Sequence, residues 1–443
     1  MPGVEVTDKN GILMHHAKDE SHHSLRPPDF VAFPKKTREV AALVDVCYRH
    51  QVPIIPFGAG TSLEGGVGAM EGGLCIDLSK MNTILKVNSS DMDAVVEAGV
   101  TRKTLNAFLR DTGLFFPVDP GADATIGGMA ATRASGTNAV RYGTMRENVL
   151  NLTAILSDGT IFKSGNRARK SAAGYDLARL MIGSEGTLGI ITELTVRLHG
   201  LPEAISAAVV QFPSVDAAVQ TAILTIQHAI PVARMELLDE AQMRACIVYS
   251  GLDYHPWPTL FFEFHGSTAG VREQAKMVEA IADDNGGANF QWADNSESRS
   301  KLWEARHNAL YAALASRPGS RAWSTDVCVP ISGLAECIRE TRRDIESQRV
   351  PATIVGHVGD GNFHVIFLVD PNSTEEMKAA ESVNKKMIER ALQLDGTCTG
   401  EHGIGIGKRE CLIEEMGLGV GVMKQIKLAL DPLNIMNPGK IFL

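Results

Sequence analysis

The alternation of apolar and polar positions divides the chain into two regions with different orders of helices and strands. The first region, residues 27 to about 200, mixes the two element types among many glycines. Its pattern predicts a helix with one apolar face over residues 37–50 and a strand over residues 53–57. The elements do not follow a regular β-α-β-α alternation, so a doubly wound parallel sheet is not expected.

The second region begins near residue 203 and predicts a β-α-β-β-α-β unit. Its elements are a strand at 207–212, a helix at 215–228, strands at 232–238 and 259–265, a helix at 269–285 and a strand at 290–293. This order is the split βαβ, or ferredoxin-like, signature. Further helices are predicted at 299–315, from 333 and at 374–394, with a strand at 323–330. The chain is therefore expected to have an α+β fold.

Residues 353–369 predict a β-hairpin that could bind a metal ion. Two apolar, β-branched runs flank the dipeptide Asp360-Gly361, and Asp-Gly is a strong signal for a two-residue hairpin turn. With that turn, His357 pairs with His364, and directly opposed residues have Cβ atoms about 4.5–5.5 Å apart. Two ring nitrogens at that separation can reach the same ion. We therefore predict a metal site at these two histidines.

Composition restricts the class of protein. The 443 residues carry a formal net charge of −9 and contain no long block of lysine and arginine, which argues against nucleic acid as the main partner. The seven cysteines are scattered, without a Cys-x-x-Cys motif, so we expect a reducing compartment and no thiolate zinc site. Any bound metal would then use histidine and carboxylate ligands.

The N-terminal segment, residues 1–26, has no signal-peptide core, so secretion is not expected. No apolar run in the chain reaches the roughly 18 residues that a membrane-spanning helix needs. The histidines His15, His16, His22 and His23 could form a metal cluster, but a solvated, loosely ordered start of the chain is the favoured interpretation.

Several glycine-rich loops in the first region suit a backbone that lies against a large polar cofactor. They are residues 56–66, 117–121, 125–129, 134–138, 141–143 and 183–189. The first of them follows a strand, where successive backbone N–H groups can point at an anion. Neither a G-x-G-x-x-G fingerprint nor a Walker A motif is present. Any one loop could be only a tight turn, but their number in one region favours cofactor binding.

These loops, together with Asn437-Pro-Gly-Lys440, resemble the FAD-binding domain of the vanillyl-alcohol oxidase superfamily, which has the PCMH-type fold. The motifs at 356–364 and 396–405 are similar to those of FAD-dependent D-2-hydroxyacid dehydrogenases, and most similar to D-lactate dehydrogenases of the cytochrome type. The resemblance covers nearly the whole chain. It implies a two-subdomain FAD-binding domain at 27–202, a ferredoxin-like cap domain with C-terminal helices and the metal site at 203–425, and a segment at 426–443 that returns to the FAD domain.

The resemblance implies that the chain binds FAD. Since the loop from Gly58 to Gly66 has neither histidine nor cysteine, we predict that FAD is bound non-covalently. The residues expected to contact it are Pro56, Gly58, Ala59, Gly60, Thr61, Ser62, Leu63, Pro120, Gly121, Thr125, Gly127, Gly128, Ser135, Gly136, Asn138, Tyr142, Gly143, Glu185, Gly186, Gly189, Ile190, Ile191 and Asn437.

The same resemblance adds Glu401 to the two histidines as a metal-binding set suited to Zn²⁺ or Mn²⁺, and it makes His402 the general base. Taken alone, Glu401 and His402 would suggest a loop salt bridge and a surface histidine. Arg306 resembles the arginine that binds the substrate carboxylate, against the alternative of a surface arginine on a helix.

Three residues are candidates for the substrate pocket. Trp323 and Tyr175 could line it or could serve only for packing. Ile366 lies two residues beyond His364, where relatives that oxidise 2-hydroxyglutarate tend to have a polar residue. An apolar residue at this position favours a substrate with a small apolar side group, such as lactate.

The reaction expected from the resemblance is oxidation of D-lactate to pyruvate, with hydride transfer to flavin N5. The electrons would pass to cytochrome c, an electron-transfer flavoprotein or a quinone. Alternatives are a D-2-hydroxyglutarate or glycolate dehydrogenase, a flavin-dependent transferase similar to alkylglycerone-phosphate synthase, and a non-catalytic flavin- or metal-binding subunit. A eukaryotic protein of this kind would be mitochondrial, with a targeting segment absent from this chain; otherwise it would be cytoplasmic or peripheral to the inner membrane. The oligomeric state is open, with a homodimer as one option.

Overall fold

The computed structural model describes residues 3–443, which form two compact units. The first unit contains the residues up to 136, 142–201 and 401–443, and the second contains 137–141 and 202–400. The chain leaves the first unit after residue 201 and returns to it at residue 401, and the predicted domain bounds 27–202, 203–425 and 426–443 stay predictions. Just after this return, the amides of Ile404 and Gly405 donate to the Glu185 carboxylate of the first unit at 2.7 and 2.8 Å.

The first unit mixes short helices with several sheets. Its strands are β1 (Glu5–Thr7), β2 (Phe30–Phe33), β3 (Ile54–Phe57), β4 (Leu74–Asp77), β5 (Ile84–Asn88), β6 (Asp93–Glu97), β7 (Leu114–Phe115), β8 (Val149–Ile155), β9 (Ile161–Lys163), β10 (Ile190–Arg197) and β11 (His199–Gly200). The helices in this part of the chain are α1 (Asn10–His15), α2 (Thr37–His50), α3 (Arg102–Leu109), α4 (Ile126–Thr132), α5 (Ala139–Tyr142), α6 (Met145–Asn148) and α7 (Leu177–Met181), with a 3₁₀ turn at Ser89–Asp91.

The first unit contains two larger sheets. The first has the strand order β1-β2-β4-β3, in which β2, β4 and β3 are parallel. The second is antiparallel, with the order β5-β6-β10-β8-β9, and β7 pairs separately with β11. Helix α2 has the predicted bounds and buries the apolar face that its 3.6-residue period indicates, namely Val40, Leu43, Val44 and Cys47.

The N-terminal segment is more ordered than predicted. Helix α1 precedes His16, which is buried, with Nδ1 2.8 Å from the Ile12 carbonyl oxygen and Nε2 3.0 Å from Asp77 Oδ2. Burial alone would lower the pKa of His16, but the bonds to Asp77 and Ile12 outweigh it and raise the pKa. The prediction of a solvated start is therefore wrong at His16, because this ring pairs with a buried carboxylate. Residues 1 and 2 of the predicted segment lie outside the described residues.

The second unit is built on one large sheet. Its strands are β12 (Ala204–Gln211), β13 (Val232–Leu238), β14 (Thr259–Gly266), β15 (Ala288–Ala293), β16 (Arg321–Ser324), β17 (Val327–Cys328), β18 (Ala352–His357) and β19 (Asn362–Val369). Its helices are α8 (Val215–Gln227), α9 (Glu240–Ser250), α10 (Thr268–Asp284), α11 (Ser296–Leu302), α12 (Glu304–His307), α13 (Ala309–Ser316), α14 (Leu334–Gln348) and α15 (Thr374–Gln393), with a 3₁₀ turn at Ile331–Gly333. Helices α16 (Arg409–Met416) and α17 (Gly419–Leu430) follow in the first unit. No helix among residues 3–443 combines the length and apolarity needed to cross a membrane.

The sheet of the second unit confirms the ferredoxin-like prediction. Its first four strands have the order β15-β12-β14-β13 and are antiparallel, and β18, β19 and β16 extend the sheet beyond β13. The predicted continuous helix at 299–315 is wrong, because the chain forms α11, α12 and α13 with breaks at Trp303 and Asn308. Helix α9 was not predicted, since its exposed residues include Val248 and Tyr249, which blur the apolar face.

Candidate active site

The predicted hairpin is present, but its turn is longer than the sequence indicated. Strands β18 and β19 pair with His357 opposite Asn362 and with Val355 opposite His364. Residues 358–361 therefore form a four-residue connection. The predicted two-residue turn, which set His357 directly opposite His364, is wrong.

Contacts of Gly361 with a neighbouring segment explain the longer turn. Its φ is +77°, and a Cβ at this position would lie 2.0 Å from the carbonyl oxygen of Val329, so only glycine fits. The Val329 amide in turn donates to the Gly361 carbonyl oxygen at 3.0 Å. The turn is thus determined by tertiary packing, which a local turn rule does not include.

The two histidines nevertheless share one face of the sheet. The register differs from the prediction by two residues, and side chains on a strand alternate with a period of two. His357 and His364 are therefore diagonal neighbours, a relation that still lets long side chains meet. Their ring centroids lie 5.3 Å apart, and the ring planes make an angle of 80°.

Both rings use Nδ1 for a hydrogen bond within the second unit, so Nε2 is the atom that can bind a metal. His364 Nδ1 lies 2.8 Å from the carbonyl oxygen of Thr325. Because a carbonyl oxygen only accepts, Nδ1 carries the proton. His357 Nδ1 lies 2.6 Å from Glu236 Oε1. Donation from one ring nitrogen to a carbonyl or carboxylate is the usual support of a metal-binding histidine.

Glu236 is a fully buried carboxylate that contacts both His357 and Arg306. Its Oε2 accepts from Arg306 Nε and Nη2, each at 2.8 Å. Burial would raise the pKa of Glu236, but the charges and hydrogen bonds of His357 and Arg306 outweigh it and lower the pKa. Sequence reasoning missed this residue. The available signal was a single acidic residue in the apolar strand at 232–238, where a buried charge needs partners.

Glu401 completes a group of three potential metal ligands. One ligand atom each of His357, His364 and Glu401 lies within 4.8 Å of the other two. The preceding Gly400 packs tightly on the hairpin, because a Cβ there would lie 2.4 Å from Asn362 Nδ2. Glycine at this position therefore lets the chain carry Glu401 to the histidines. Two nitrogens and one carboxylate oxygen form the three-ligand set that catalytic zinc sites use.

A second buried carboxylate, Asp326, connects the hairpin to the loop that carries Glu401. Its Oδ1 accepts from Asn362 Nδ2 at 2.7 Å, and its Oδ2 accepts from Thr399 Oγ1 at 2.7 Å. Asp326 Oδ1 also lies 3.9 Å from His364 Nδ1. No spacing in the sequence marked these supporting residues, since they come from three separate segments.

His402, the predicted base, is buried and not a surface histidine. It is 9% exposed, and its Nε2 lies 3.9 Å from Glu401 Oε1. The loop that follows has positive φ at Gly403 (+84°) and Gly405 (+48°) and is held by the bonds to Glu185. Burial raises the pKa of Glu185, and the two amide donors offset only part of this effect.

The three predicted pocket residues lie in different surroundings. Trp323 is buried in β16, and its ring centroid lies 5.6 Å from that of Phe367. Ile366 is buried in an apolar cluster that includes Val355, on the strand face that also carries His364. Tyr175 is 95% exposed on a loop of the first unit. Their roles as substrate contacts stay predictions.

The predicted flavin-binding loops of the first unit meet one another at Asn437. Its side-chain amide donates to the carbonyl oxygens of Gly66 at 3.1 Å and Glu185 at 2.7 Å, and so joins two loops. Glu185 and Asn437 have φ values of +50° and +43°. Such values are uncommon outside glycine and are concentrated at ligand-binding sites.

Other loops of this group are packed as closely. A Cβ on Gly58 would lie 2.4 Å from the Thr125 hydroxyl oxygen, and a Cβ on Gly186 would lie 2.8 Å from Pro56. The loops around residues 56, 125, 183 and 437 therefore form one group, as expected if they surround a common ligand.

The backbone amides of residues 58–63 have the arrangement that an anion requires. Within residues 3–443 none of these six amides donates a hydrogen bond to the protein, and none of the six residues is buried. A run of consecutive N–H groups without protein acceptors suits a pyrophosphate. The residues present therefore fit FAD.

Several other predicted FAD contacts also have a structural role. Thr125 caps α4, because its hydroxyl accepts from the Gly128 amide at 3.3 Å. Asn138 accepts from Arg234 Nε at 2.9 Å. The Tyr142 ring packs edge-on against the His199 ring, with their centroids 4.9 Å apart. The remaining predicted positions lie in the loops, in the first turn of α4 (Gly127) or at the start of β10: Ala59, Gly60, Thr61, Ser62, Leu63, Pro120, Gly121, Gly127, Ser135, Gly136, Gly143, Gly189, Ile190 and Ile191. Their contacts with FAD stay predictions.

Two sequence families match the chain. Residues 28–165 match the family described as FAD binding domain. Residues 201–441 match the family described as FAD linked oxidases, C-terminal domain.

Two relatives and one solved structure are each similar to this chain over nearly its whole length. A Danio rerio protein named probable D-lactate dehydrogenase, mitochondrial, is 56% identical over 99% of this chain and 89% of its own length. An Arabidopsis thaliana protein named D-lactate dehydrogenase [cytochrome], mitochondrial, is 47% identical over 98% of this chain and 77% of its own. The structure of p-cresol methylhydroxylase with substrate bound has a TM-score of 0.82 at 16% identity, covering 98% of this chain and 93% of that chain. This last similarity concerns the fold alone and confirms the PCMH-type prediction.

Proposed function

Because this chain belongs to the FAD-linked oxidases, we propose that it oxidises D-lactate to pyruvate with FAD and a divalent metal ion. The observation that carries the proposal is the group of His357, His364 and Glu401, in which both rings present Nε2 while Nδ1 is engaged. The names of the two curated relatives support D-lactate as the substrate.

The metal would be held by His357, His364 and Glu401, with Zn²⁺ or Mn²⁺ as the ions that this donor set suits. A three-ligand site leaves positions for the carboxylate and the adjacent hydroxyl of a 2-hydroxyacid. When bound, a divalent ion supplies positive charge that lowers the pKa of the substrate hydroxyl.

Two further residues would act on the substrate directly. His402 accepts the hydroxyl proton on its imidazole as the Cα–H bond breaks. Arg306 binds the substrate carboxylate. Its Nε and Nη2 already contact Glu236, and the edge formed by Nη1 and Nη2 also carries two parallel N–H groups. A carboxylate fits this second edge bidentately.

FAD would bind in the loop group of the first unit, with its pyrophosphate at residues 58–63. When bound, it supplies the acceptor for the hydride from Cα, so the alcohol loses one proton and one hydride to become the ketone. We propose non-covalent binding. Cys47 and Cys75 are buried, and burial raises the pKa of the Cys47 thiol to about 11 and that of Cys75 well above its usual value. Neutral thiols of this kind are unreactive.

The electrons would then pass to a one-electron carrier such as cytochrome c, with an electron-transfer flavoprotein or a quinone as alternatives. The name of the Arabidopsis relative contains both cytochrome and mitochondrial. These two words support a cytochrome as the electron acceptor of this chain and the mitochondrion as its compartment.

The test is anaerobic titration of the purified flavoprotein with D-lactate, L-lactate, glycolate and D-2-hydroxyglutarate. D-lactate is expected to bleach the flavin absorbance fastest. Faster bleaching by glycolate or D-2-hydroxyglutarate would favour the sister dehydrogenases. No bleaching by any of the four acids would contradict the proposal and favour a transferase or a non-catalytic role.

Ile366 tests the substrate preference within the same experiment. Ile366→Thr is expected to raise the rate with D-2-hydroxyglutarate relative to D-lactate, because a polar group would face the larger acid. The matched control is Ile354→Thr, since Ile354 on β18 is also buried but lies on the opposite face of the sheet. Equal rate ratios in both variants would exclude Ile366 as a specificity residue.

A further inference from the structure

We propose that Glu236 is a positioning residue that orients both His357 and Arg306 with one carboxylate. This rests on the proposed function, which assigns His357 to the metal and Arg306 to the substrate carboxylate. Glu236 would therefore set the geometry of metal binding and of substrate binding together. It touches neither the metal nor the substrate itself.

The register of the sheet brings Glu236 to His357. Strands β13 and β18 are antiparallel, with Leu238 opposite Val355 and Leu237 opposite Gly356. The next pair in this register is Glu236 and His357, so the two side chains share a face. The carboxylate reaches the ring with a distance of 2.6 Å from Oε1 to Nδ1.

The two oxygens of Glu236 serve different partners. Oε1 accepts from His357, and Oε2 accepts twice from Arg306. The first bond fixes the proton on Nδ1 and leaves the lone pair on Nε2. The second fixes the Nε and Nη2 edge of the guanidinium, which sets the direction of its remaining edge.

A neutral amide cannot replace this carboxylate. Both neighbours of Glu236 are donors, and a glutamine offers them one acceptor oxygen and one NH₂ group. One donor would then face the NH₂ group in a fully buried position. Since an unmet buried donor is costly, either His357 or Arg306 moves, or His357 takes the tautomer with its proton on Nε2, which opposes metal binding at that atom.

The experiment compares Glu236→Gln with Glu263→Gln. Glu263 lies on the adjacent strand β14 and also has a histidine and an arginine as neighbours: its Oε1 lies 2.8 Å from His265 Nε2, and its Oε2 lies 3.5 Å from Arg234 Nη1. It does not contact either predicted metal-binding histidine. Three quantities are measured on each holoenzyme: bound FAD by absorbance, Zn²⁺ affinity by competition with a chromogenic chelator, and KM for D-lactate at saturating Zn²⁺.

Glu236→Gln is expected to weaken Zn²⁺ binding by roughly 10- to 100-fold, the usual effect of losing the support of a metal-binding histidine. KM for D-lactate should rise on the order of tenfold, as for one weakened charge-assisted hydrogen bond. FAD content should not change. Glu263→Gln should bind Zn²⁺ as the wild type does.

The outcomes distinguish this inference from the proposed function. A metal-dependent, D-lactate-oxidising wild type with unchanged Zn²⁺ affinity and KM in Glu236→Gln would overturn the inference alone. A wild type that needs no metal would overturn both. If Glu236→Gln does not fold, Glu236→Asp decides with the same measurements, because the shorter side chain keeps the charge but cannot reach both partners. Wild-type values in that variant would also overturn the inference.

Discussion

The predicted flavin-binding loops of the first unit and the histidine hairpin of the second are built from different parts of the chain. The loops offer mainly backbone: the six amides at 58–63, and glycines whose neighbours leave no room for a Cβ. The hairpin offers side chains, namely His357 and His364, which are oriented by Glu236 on β13 and by the Thr325 carbonyl between β16 and β17. The first region therefore depends on the absence of side chains, and the second on their orientation.

This difference affects how each region responds to mutation. A substitution in the loops should act through backbone strain and weaken cofactor binding, with no effect on the hairpin. A substitution at the hairpin histidines or at His402, the proposed general base, should lower the rate of substrate oxidation while FAD stays bound. The predictions below test this separation.

The largest effect is expected for His402→Ala. Removing the proposed base should lower the rate of anaerobic flavin reduction by D-lactate by roughly 10²- to 10⁴-fold, the usual contribution of general-base catalysis. The flavin should remain bound, which the visible absorbance of the purified variant can verify. His228→Ala is the control, because His228 is exposed at the end of α8. A wild-type rate in His402→Ala would show that His402 is not the general base.

A smaller effect, on the cofactor alone, is expected for Gly60→Ala. Gly60 has φ +67°, and a Cβ would lie 2.8 Å from the Phe57 ring. The left-handed conformation costs a non-glycine residue about 1–2 kcal/mol, and the contact with Phe57 adds to this. FAD should be lost on gel filtration, whereas Zn²⁺ affinity should not change.

Gly113→Ala is the matched control for that experiment. Gly113 has a similar φ of +73°, but a Cβ there would have no neighbour within 4 Å. It should lose some stability and retain FAD. Equal FAD loss in both variants would mean that backbone strain anywhere in the unit is sufficient, and the loop would have no special role.

The smallest effect is expected at His16, whose ring packs on Phe57 with a centroid distance of 4.4 Å and whose ring nitrogens bond to Asp77 and Ile12. The pKa of His16 is raised above the ordinary value of 6.5 by Asp77 and Ile12, despite burial. Its contribution to stability is therefore fully present below about pH 6.5 and is lost as the pH rises through the raised pKa. His16→Asn should lower the free energy of local opening of residues 10–17, as measured by hydrogen exchange. The decrease should be on the order of 1 kcal/mol at pH 6 and smaller at pH 9. An effect that grows with pH would contradict the assigned pKa direction.

The parts of the fold that could be predicted are those that local patterns determine. Helix α2 follows from the spacing of Val40, Leu43, Val44 and Cys47, and the order of β12 to β15 follows from period-two and period-3.6 patterns. Both histidines could be assigned to one face of the hairpin because an error of two residues in register does not change the face.

The parts that could not be predicted depend on segments distant in sequence. The turn at 358–361 is fixed by the contact of Gly361 with Val329, and the rings are oriented by Glu236 and Thr325. None of these pairings has a characteristic spacing. The solitary acid in the strand at 232–238 was the one visible sign, since a buried carboxylate must have partners.

The measurement that tests the account most directly is flavin reduction by D-lactate before and after removal of metal. The purified protein is treated with a chelator, passed through a desalting column, and its metal and FAD contents are determined. We expect FAD to stay bound and oxidised on addition of D-lactate, and we expect added Zn²⁺ or Mn²⁺ to restore bleaching. Bleaching at the full rate in protein shown to be free of metal would contradict the assignment of His357, His364 and Glu401 to a catalytic metal site.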